Sequence, residues 1–132
     1  MSWFRVSAVI LALWAVAFVF LPRFSNELFG NDYLVNGHAE DWTRLVGLAL
    51  VPMAFMLNEA HGSSNPEARR LIARGALIFT VSCGLLMTYW QVIPDPRWNR
   101  LDIVNIVLLG VMSYGLYMES ALWGRRAGNA RA

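Results

Sequence analysis

Four polar side chains have the types and spacing to form a small binding site: Arg44, Gln91, Asp102 and Asn105. Asp102 and Asn105 are three positions apart, which places both on one face of a helix with Asn105 roughly 5 Å further along. Polar groups in apolar surroundings are costly unless they are paired. We therefore expect the four side chains to point inward and to contact one another.

Two interpretations of this outer polar cluster are open. In the structural one, Arg44 forms an ion pair with Asp102, and the two amides hydrogen-bond neighbouring helices. In the functional one, a pocket opens outward and Arg44 receives the anionic or carbonyl group of a ligand. An enzyme is the third possibility, but Asp102 would then act as a general acid or base with no partner beyond Arg44.

Other catalytic or cofactor chemistry finds little support in the sequence. The spacing of His38, Glu40 and Asp41 fits no tight metal site, and we expect neither His38 nor His61 inside a span, where a membrane haem needs its axial ligands. Cys83 is the only cysteine, so paired-thiol chemistry is excluded. A net charge of +2 does not suggest nucleic-acid binding. We predict no catalytic residues, no metal and no cofactor.

The elements that must position the cluster are apolar helices. Of 132 residues, 57% are hydrophobic and only 15% charged, a composition that predicts lipid contact. A bilayer core of about 30 Å needs about 20 residues per helix. We predict an all-α integral membrane protein with one domain, a four-helix up-down bundle that leaves no room for a soluble domain. The predicted spans are 3–21, 42–60, 71–93 and 102–123.

Two regions make this prediction less direct. The second span has the shortest uncharged run and contains Pro52, so a re-entrant segment is its alternative. The outer segment 23–41 is expected to begin with a short interfacial helix around Phe24 to Phe29 and to continue as a loop through Gly37 and His38. The sequence after Phe20 lacks a small-x-small cleavage site, so we expect the first span to be retained.

Arginines set the predicted orientation, because the chain has no lysine. One side is bordered by Arg5, Arg69, Arg70, Arg74, Arg125, Arg126 and Arg131, and the other by Arg23, Arg44, Arg97 and Arg100. By the positive-inside tendency, both termini are expected in the cytoplasm. At that inner end, Glu119 is expected to form a surface ion pair with Arg70, Arg74 or Arg125.

Small residues predict where the spans pack. Thr80 and Gly84 are spaced for close helix contact, which suggests that the third span is the central helix. The small residues expected at helix contacts are Gly75, Thr80, Gly84, Gly110 and Ser113.

The layout resembles small bacterial four-span families, the DoxX-like and related proteins of unknown function. The resemblance rests on a first span ending at Pro22, the aromatic segment Phe24–Gly30, Arg44-Leu-Val-Gly47 and the Asp102–Asn105 pair. A looser likeness, on Arg44 and Gly47, is to the small membrane scaffold of sterol synthesis. Both support a fold rather than an activity.

The leading functional hypothesis is a non-catalytic accessory or scaffold subunit in a bacterial inner membrane. Its expected partners are membrane lipids and either itself or another membrane protein. The alternative is a binding or transport module for a lipid or quinone, with the outer polar cluster receiving the polar head.

Overall fold

A computed structural model describes residues 2–28, 37–92 and 100–129. Those residues form five helices and no strand: α1 (Trp3–Phe20), α2 (Pro22–Leu28), α3 (Gly37–Gly62), α4 (Pro66–Val92) and α5 (Arg100–Asn129). Four of them are long and apolar enough to cross a membrane. The predicted all-α protein with four spans is confirmed.

The four long helices pack as a ring in which each contacts its neighbours in sequence. α1 packs mainly on α3 and α4 mainly on α5, while smaller contacts join α3 to α4 and α1 to α5. Adjacent helices run in opposite directions: Thr80 of α4 meets Ser113 of α5, and Gly84, one turn later, lies beside Leu109, one turn earlier. The arrangement is therefore up-down-up-down.

The core is a set of large apolar side chains set among alanines. Buried positions recur every three or four residues along each helix, which is the helical period. The large apolar residues that are fully enclosed are Phe4, Leu11, Leu57, Leu109, Met112 and Leu116. Six of the core residues are alanine, and small side chains let helix backbones approach closely in lipid.

The short helix α2 turns the chain between α1 and α3 and is fixed to both. Ser25 Oγ donates to the Ala17 carbonyl at 3.2 Å, and Thr43 Oγ1 of α3 lies 2.9 Å from the Oδ1 of Asn26. Asn26 is buried by these contacts. The short helix predicted after the first span is present, and hydrogen bonds to both neighbours hold it.

One ion pair lies on the exposed side of α2. Arg23 Nε is 3.0 Å from Glu27 Oε1, one turn later. The hydrogen bond to Glu27, and then its charge, raise the pKa of the Arg23 guanidinium. Arg23 therefore stays cationic at any physiological pH.

α3 differs from its prediction at its start. It begins at Gly37, within the stretch expected to be a loop, and Glu40 lies in its first turn. An acidic residue near a helix N-terminus is stabilised by the helix dipole, so this signal outweighs the poor helix propensity of Gly37. The loop prediction at Gly37 and His38 was wrong.

Pro52 does not interrupt α3. The helix runs for 26 residues, about 39 Å at the usual rise, which is enough to cross a bilayer. Pro52 is exposed, and its missing N–H leaves only the Leu48 carbonyl without its usual partner. This favours a spanning helix over the re-entrant alternative.

The two remaining helices lie close to their predicted bounds, with one extension. α4 begins at Pro66, after a turn in which Asn65 Oδ1 accepts the N–H groups of Glu67 and Ala68 at 3.0 and 3.2 Å. α5 continues past Trp123 to Asn129. The connection between α4 and α5, residues 93–99, lies outside the described residues.

Candidate functional site

The outer polar cluster is described only in part. Arg44 lies in the second turn of α3, with its Nη1 2.8 Å from Asp41 Oδ1 and its Nη2 3.8 Å from Glu40 Oε2. Asn105 is buried on α5. The side chains of Gln91 and Asp102 lie outside the described residues. The Arg44 to Asp102 ion pair therefore stays a prediction.

A second polar group lies at the opposite end of the bundle and is centred on Glu119. This α5 carboxylate is only 8% exposed. Its Oε1 accepts Ser2 Oγ–H and the Trp3 backbone N–H, both at 3.0 Å, and its Oε2 accepts the Trp123 indole N–H at 2.9 Å. All three donors are neutral groups.

Glu119 caps α1 from another helix. The Trp3 N–H is one of the first N–H groups of α1, which have no acceptor within their own helix, and the Ser2 side chain does not cap it. A carboxylate at this position also meets the positive end of the helix dipole. The contact joins residues 116 positions apart and so connects the start of the chain to α5.

The ion pair expected for Glu119 is not formed. Among the described residues, no arginine nitrogen lies within 4.0 Å of this carboxylate. The predicted ion pair with Arg70, Arg74 or Arg125 was therefore wrong. The reason is orientation: Glu119 lies on the buried face of α5 that meets the start of α1.

Arginines and aromatic rings form a layer beside Glu119. The guanidinium carbon of Arg69 lies 3.7 Å from the centroid of the Trp123 ring and 5.3 Å from that of Phe4. Arg126 lies over the same Trp123 ring at 4.5 Å. Arg69 Nη1 also donates to the Ser63 carbonyl at 3.2 Å. Cation–π contacts of this kind hold a guanidinium by its face and leave its edges available for hydrogen bonds.

Two glycines permit close contacts that the sequence analysis did not predict as packing sites. An ideal Cβ on Gly47 would lie 2.9 Å from both Phe18 Cβ and Val19 Cγ2. α3 can therefore approach α1 this closely only because position 47 has no side chain. A Cβ on Gly115 would lie within the indole ring of Trp3. Both glycines are buried.

The predicted packing residues divide into two groups. Ser113 Oγ donates to Thr80 Oγ1 at 2.8 Å, and Gly84 is 3.8 Å from Leu109 Cβ, measured from its ideal Cβ. Gly75 and Gly110 are exposed, with nothing within 4 Å of an added Cβ. These two glycines do not mediate contacts within the described bundle.

The expectation that the third span is central was wrong. α4 is the least buried of the four long helices. Thr80 and Gly84 both contact α5, and a ring of four helices has no central member.

Two cavities lie on α3. A groove of about 570 Å³ follows the α1–α3 contact, lined by apolar side chains such as Val16, Val51 and Phe55, with Asn58 at one end. A second cavity of about 620 Å³ lies at the turn between α3 and α4 and is lined by His61 and Ser63, among others. The first can hold a hydrocarbon chain, and the second has walls of mixed polarity.

No protein-family model, curated protein or solved structure matches this chain.

The sequence analysis missed the Glu119 network and the stacked Arg69. One local signal was present: Glu119 and Trp123 are four positions apart, so a carboxylate and an indole N–H share a helix face. The partners Ser2, Trp3 and Phe4 come from the other end of the chain, and no local pattern indicates them.

Proposed function

We propose that this chain is a non-catalytic, multi-pass protein of a bacterial inner membrane that acts as an accessory or scaffold subunit. It associates with a second copy of itself or with another membrane protein through the exposed faces of α4 and α5. We also propose that the chain is related to the DoxX-like proteins, and the four-span layout is the feature that supports this relation.

The observation that carries the proposal is the pair of exposed glycines in these helices. A glycine inside a helix is less favourable than alanine by roughly 0.5–1 kcal/mol. Gly47 and Gly115 are explained by contacts within the chain, whereas an added Cβ at Gly75 or Gly110 would meet no atom within 4 Å. In lipid, a bare glycine on a helix surface lets another helix approach closely. Packing against another chain accounts for both positions.

The surface around Gly75 has the spacing of a helix–helix seam. Exposed residues on α4 alternate at intervals of four and three: Leu71, Gly75, Ile78, Ser82 and Leu85. This is the a/d spacing that aligns one helix along another. The three large members are each more than 65% exposed, and they flank the two small ones. A second helix laid along this stripe would bury the large side chains and rest on the small ones.

The proposal is tested by the oligomeric state of the chain in native lipid. We expect native mass spectrometry of nanodisc-embedded protein to show a stoichiometric second copy or partner. Gly75→Ile and Gly110→Ile should return the chain to a monomer, because a branched side chain holds the approaching helix away. Ala49→Ile is the matched control, since Ala49 is an exposed small residue on α3, outside the proposed surface.

A monomer with no partner, in lipid taken directly from the membrane, would refute the proposal. So would an association that survives both glycine substitutions. Both glycine variants should keep the helical content of the wild type and unfold at no lower temperature, because an added Cβ at either position meets no atom within 4 Å.

The second candidate function is a binding module for a lipophilic molecule, favoured by the groove between α1 and α3. Its walls are apolar along most of its length and Asn58 provides a polar end. A lipid tail or isoprenoid chain matches this lining. In this case Val51→Trp should displace the bound molecule, and Arg44→Ala should do so only if the polar head lies at the outer end. Retention in both variants would exclude the groove.

A further inference from the structure

Three arginines converge where α4 begins and α5 ends. Arg69 and Arg126 both stack on Trp123, with guanidinium carbons 3.7 and 4.5 Å from its ring centroid. Arg70 lies against the next residue, its Nε 3.4 Å from the position of a Cβ on Gly124. Three cationic groups therefore meet within one turn of α5.

These three arginines lie beside the buried carboxylate of Glu119, and together with it they carry an excess of positive charge. The three ion pairs that join described side chains involve Arg23 and Arg44, at the opposite end. Glu119, the buried acid beside Trp123, accepts hydrogen bonds from Ser2, Trp3 and Trp123. The N-terminal end of α4 adds the positive end of a helix dipole.

Buried donors at the same place lack acceptors. The Nε atoms of Arg69 and Arg70 are both shielded from solvent and have no hydrogen-bond partner among the described residues. Buried polar groups in folded proteins nearly always have a partner, so two orphaned donors on adjacent residues indicate a missing acceptor. The planar face of the Arg69 guanidinium stacks on the Trp123 ring, and its Nη1 donates a hydrogen bond to the Ser63 carbonyl. Its remaining edge can donate to an anion.

We propose that Arg69, Arg70 and Arg126 form a binding site for a phosphate group, supplied by the headgroup of an anionic phospholipid. Guanidinium groups match the oxygens of a phosphate with two parallel hydrogen bonds. Arg69 and Arg126 lie at the ends of two candidate spans, Pro66–Tyr89 and Ile103–Arg126, which is the depth at which lipid phosphates lie. The exposed apolar faces of α4 and α5 provide a surface for the acyl chains.

The site is tested by lipid selectivity in the full-length chain. Protein in neutral detergent is mixed with equal amounts of phosphatidylglycerol and phosphatidylcholine of identical acyl chains, and retained lipid is counted by native mass spectrometry. We expect wild type to retain phosphatidylglycerol about 25-fold better, which is equivalent to about two arginine–phosphate contacts at about fivefold each. Arg69→Gln and Arg70→Gln should each lower the preference roughly fivefold. Arg23→Gln, which removes an exposed arginine at the other end, should leave it unchanged.

A second arm separates a lipid headgroup from free phosphate. If millimolar inorganic phosphate displaces phosphatidylglycerol, the site binds the phosphate group itself and takes either source; if it does not, the acyl chains contribute and the ligand is the lipid. Both results support the site. Equal retention of the two lipids by wild type, or a preference that survives both arginine variants, overturns it.

A third measurement protects the test from misfolded variants. Thermal unfolding of the wild type in mixed micelles should shift upward with phosphatidylglycerol and not with phosphatidylcholine, because a ligand that binds only the folded state stabilises it. An absent shift contradicts the site without any mutant. If the arginines are covered only in a complex with an acidic protein partner, the lipid assignment is wrong.

Discussion

Gly115→Ala tests whether the start of α1 is fixed to α5 by close contact. A Cβ at position 115 would lie 2.6 Å from Trp3 Cγ and closer still to Cδ2 and Cε3 of the indole. Non-bonded carbon atoms normally approach to about 3.5–4.0 Å. The indole must therefore move by about 1 Å or more. The Trp3 backbone N–H is bonded to Glu119, one turn along α5, so any backbone shift that makes room for the new methyl group strains that hydrogen bond.

The expected loss of stability follows from three effects. Overpacking a close contact costs typically 1–3 kcal/mol. Weakening a hydrogen bond to a charged group adds up to about 1.5–3 kcal/mol. Replacing glycine by alanine inside a helix returns about 1 kcal/mol, so the three effects add to a net destabilisation of about 0–5 kcal/mol, with a central value of about 2 kcal/mol.

The measurement is the free energy of unfolding of the monomeric chain in mixed detergent, followed by circular dichroism. Gly110→Ala is the matched control on the same helix, where an added Cβ meets nothing within 4 Å. Trp3→Ala should remove most of the penalty, so that Gly115→Ala becomes neutral or stabilising in that background. If Gly115→Ala destabilises the Trp3→Ala chain as much as the wild type, the proposed contact is not the cause.

Three further predictions follow from contacts elsewhere in the bundle. Gly47→Ala should destabilise by about 1–3 kcal/mol in the same assay, because its Cβ would overlap α1. Gly75→Ala should instead stabilise the monomer by up to about 1 kcal/mol, because its Cβ meets no atom; equal effects would contradict the packing. Glu119→Ala should destabilise by at least about 2 kcal/mol, since it strips acceptors from three donors, and Glu119→Gln should recover part of that loss by retaining an oxygen acceptor. Thr80→Val should cost about 0.6–1 kcal/mol, and the loss should vanish in a Ser113→Ala background if their 2.8 Å hydrogen bond is responsible.

The fold could be predicted from the sequence because membrane helices leave a strong one-dimensional signal. Apolar length and terminal arginines locate each span independently of its neighbours. The errors occurred at helix ends, where that signal is weak. α3 extends back to Gly37, stabilised by Glu40 in its first turn, and α5 continues past Trp123, where Arg126 stacks on the ring.

The sites were harder to predict, because they depend on which helix faces which. Glu119 was expected to pair with a nearby arginine, since unlike charges near one membrane surface usually offer the simplest pairing. The structure places this carboxylate on the face that meets α1, where Ser2 and Trp3 supply neutral donors. The partners of Glu119 are determined by how α1 packs against α5, and no local sequence pattern indicates that packing.

Two buried and two exposed glycines make it possible to test folding and association separately. Gly47 and Gly115 are buried, and neighbouring atoms of the same chain occupy the space that a side chain would need. Gly75 and Gly110 face open space, so the bundle itself does not require them. Enlarging the first pair should unfold the monomer in detergent, whereas enlarging the second should leave the monomer intact and act only on what binds it in lipid. If all four behave alike, the exposed glycines belong to folding, and the subunit proposal loses the observation that supports it.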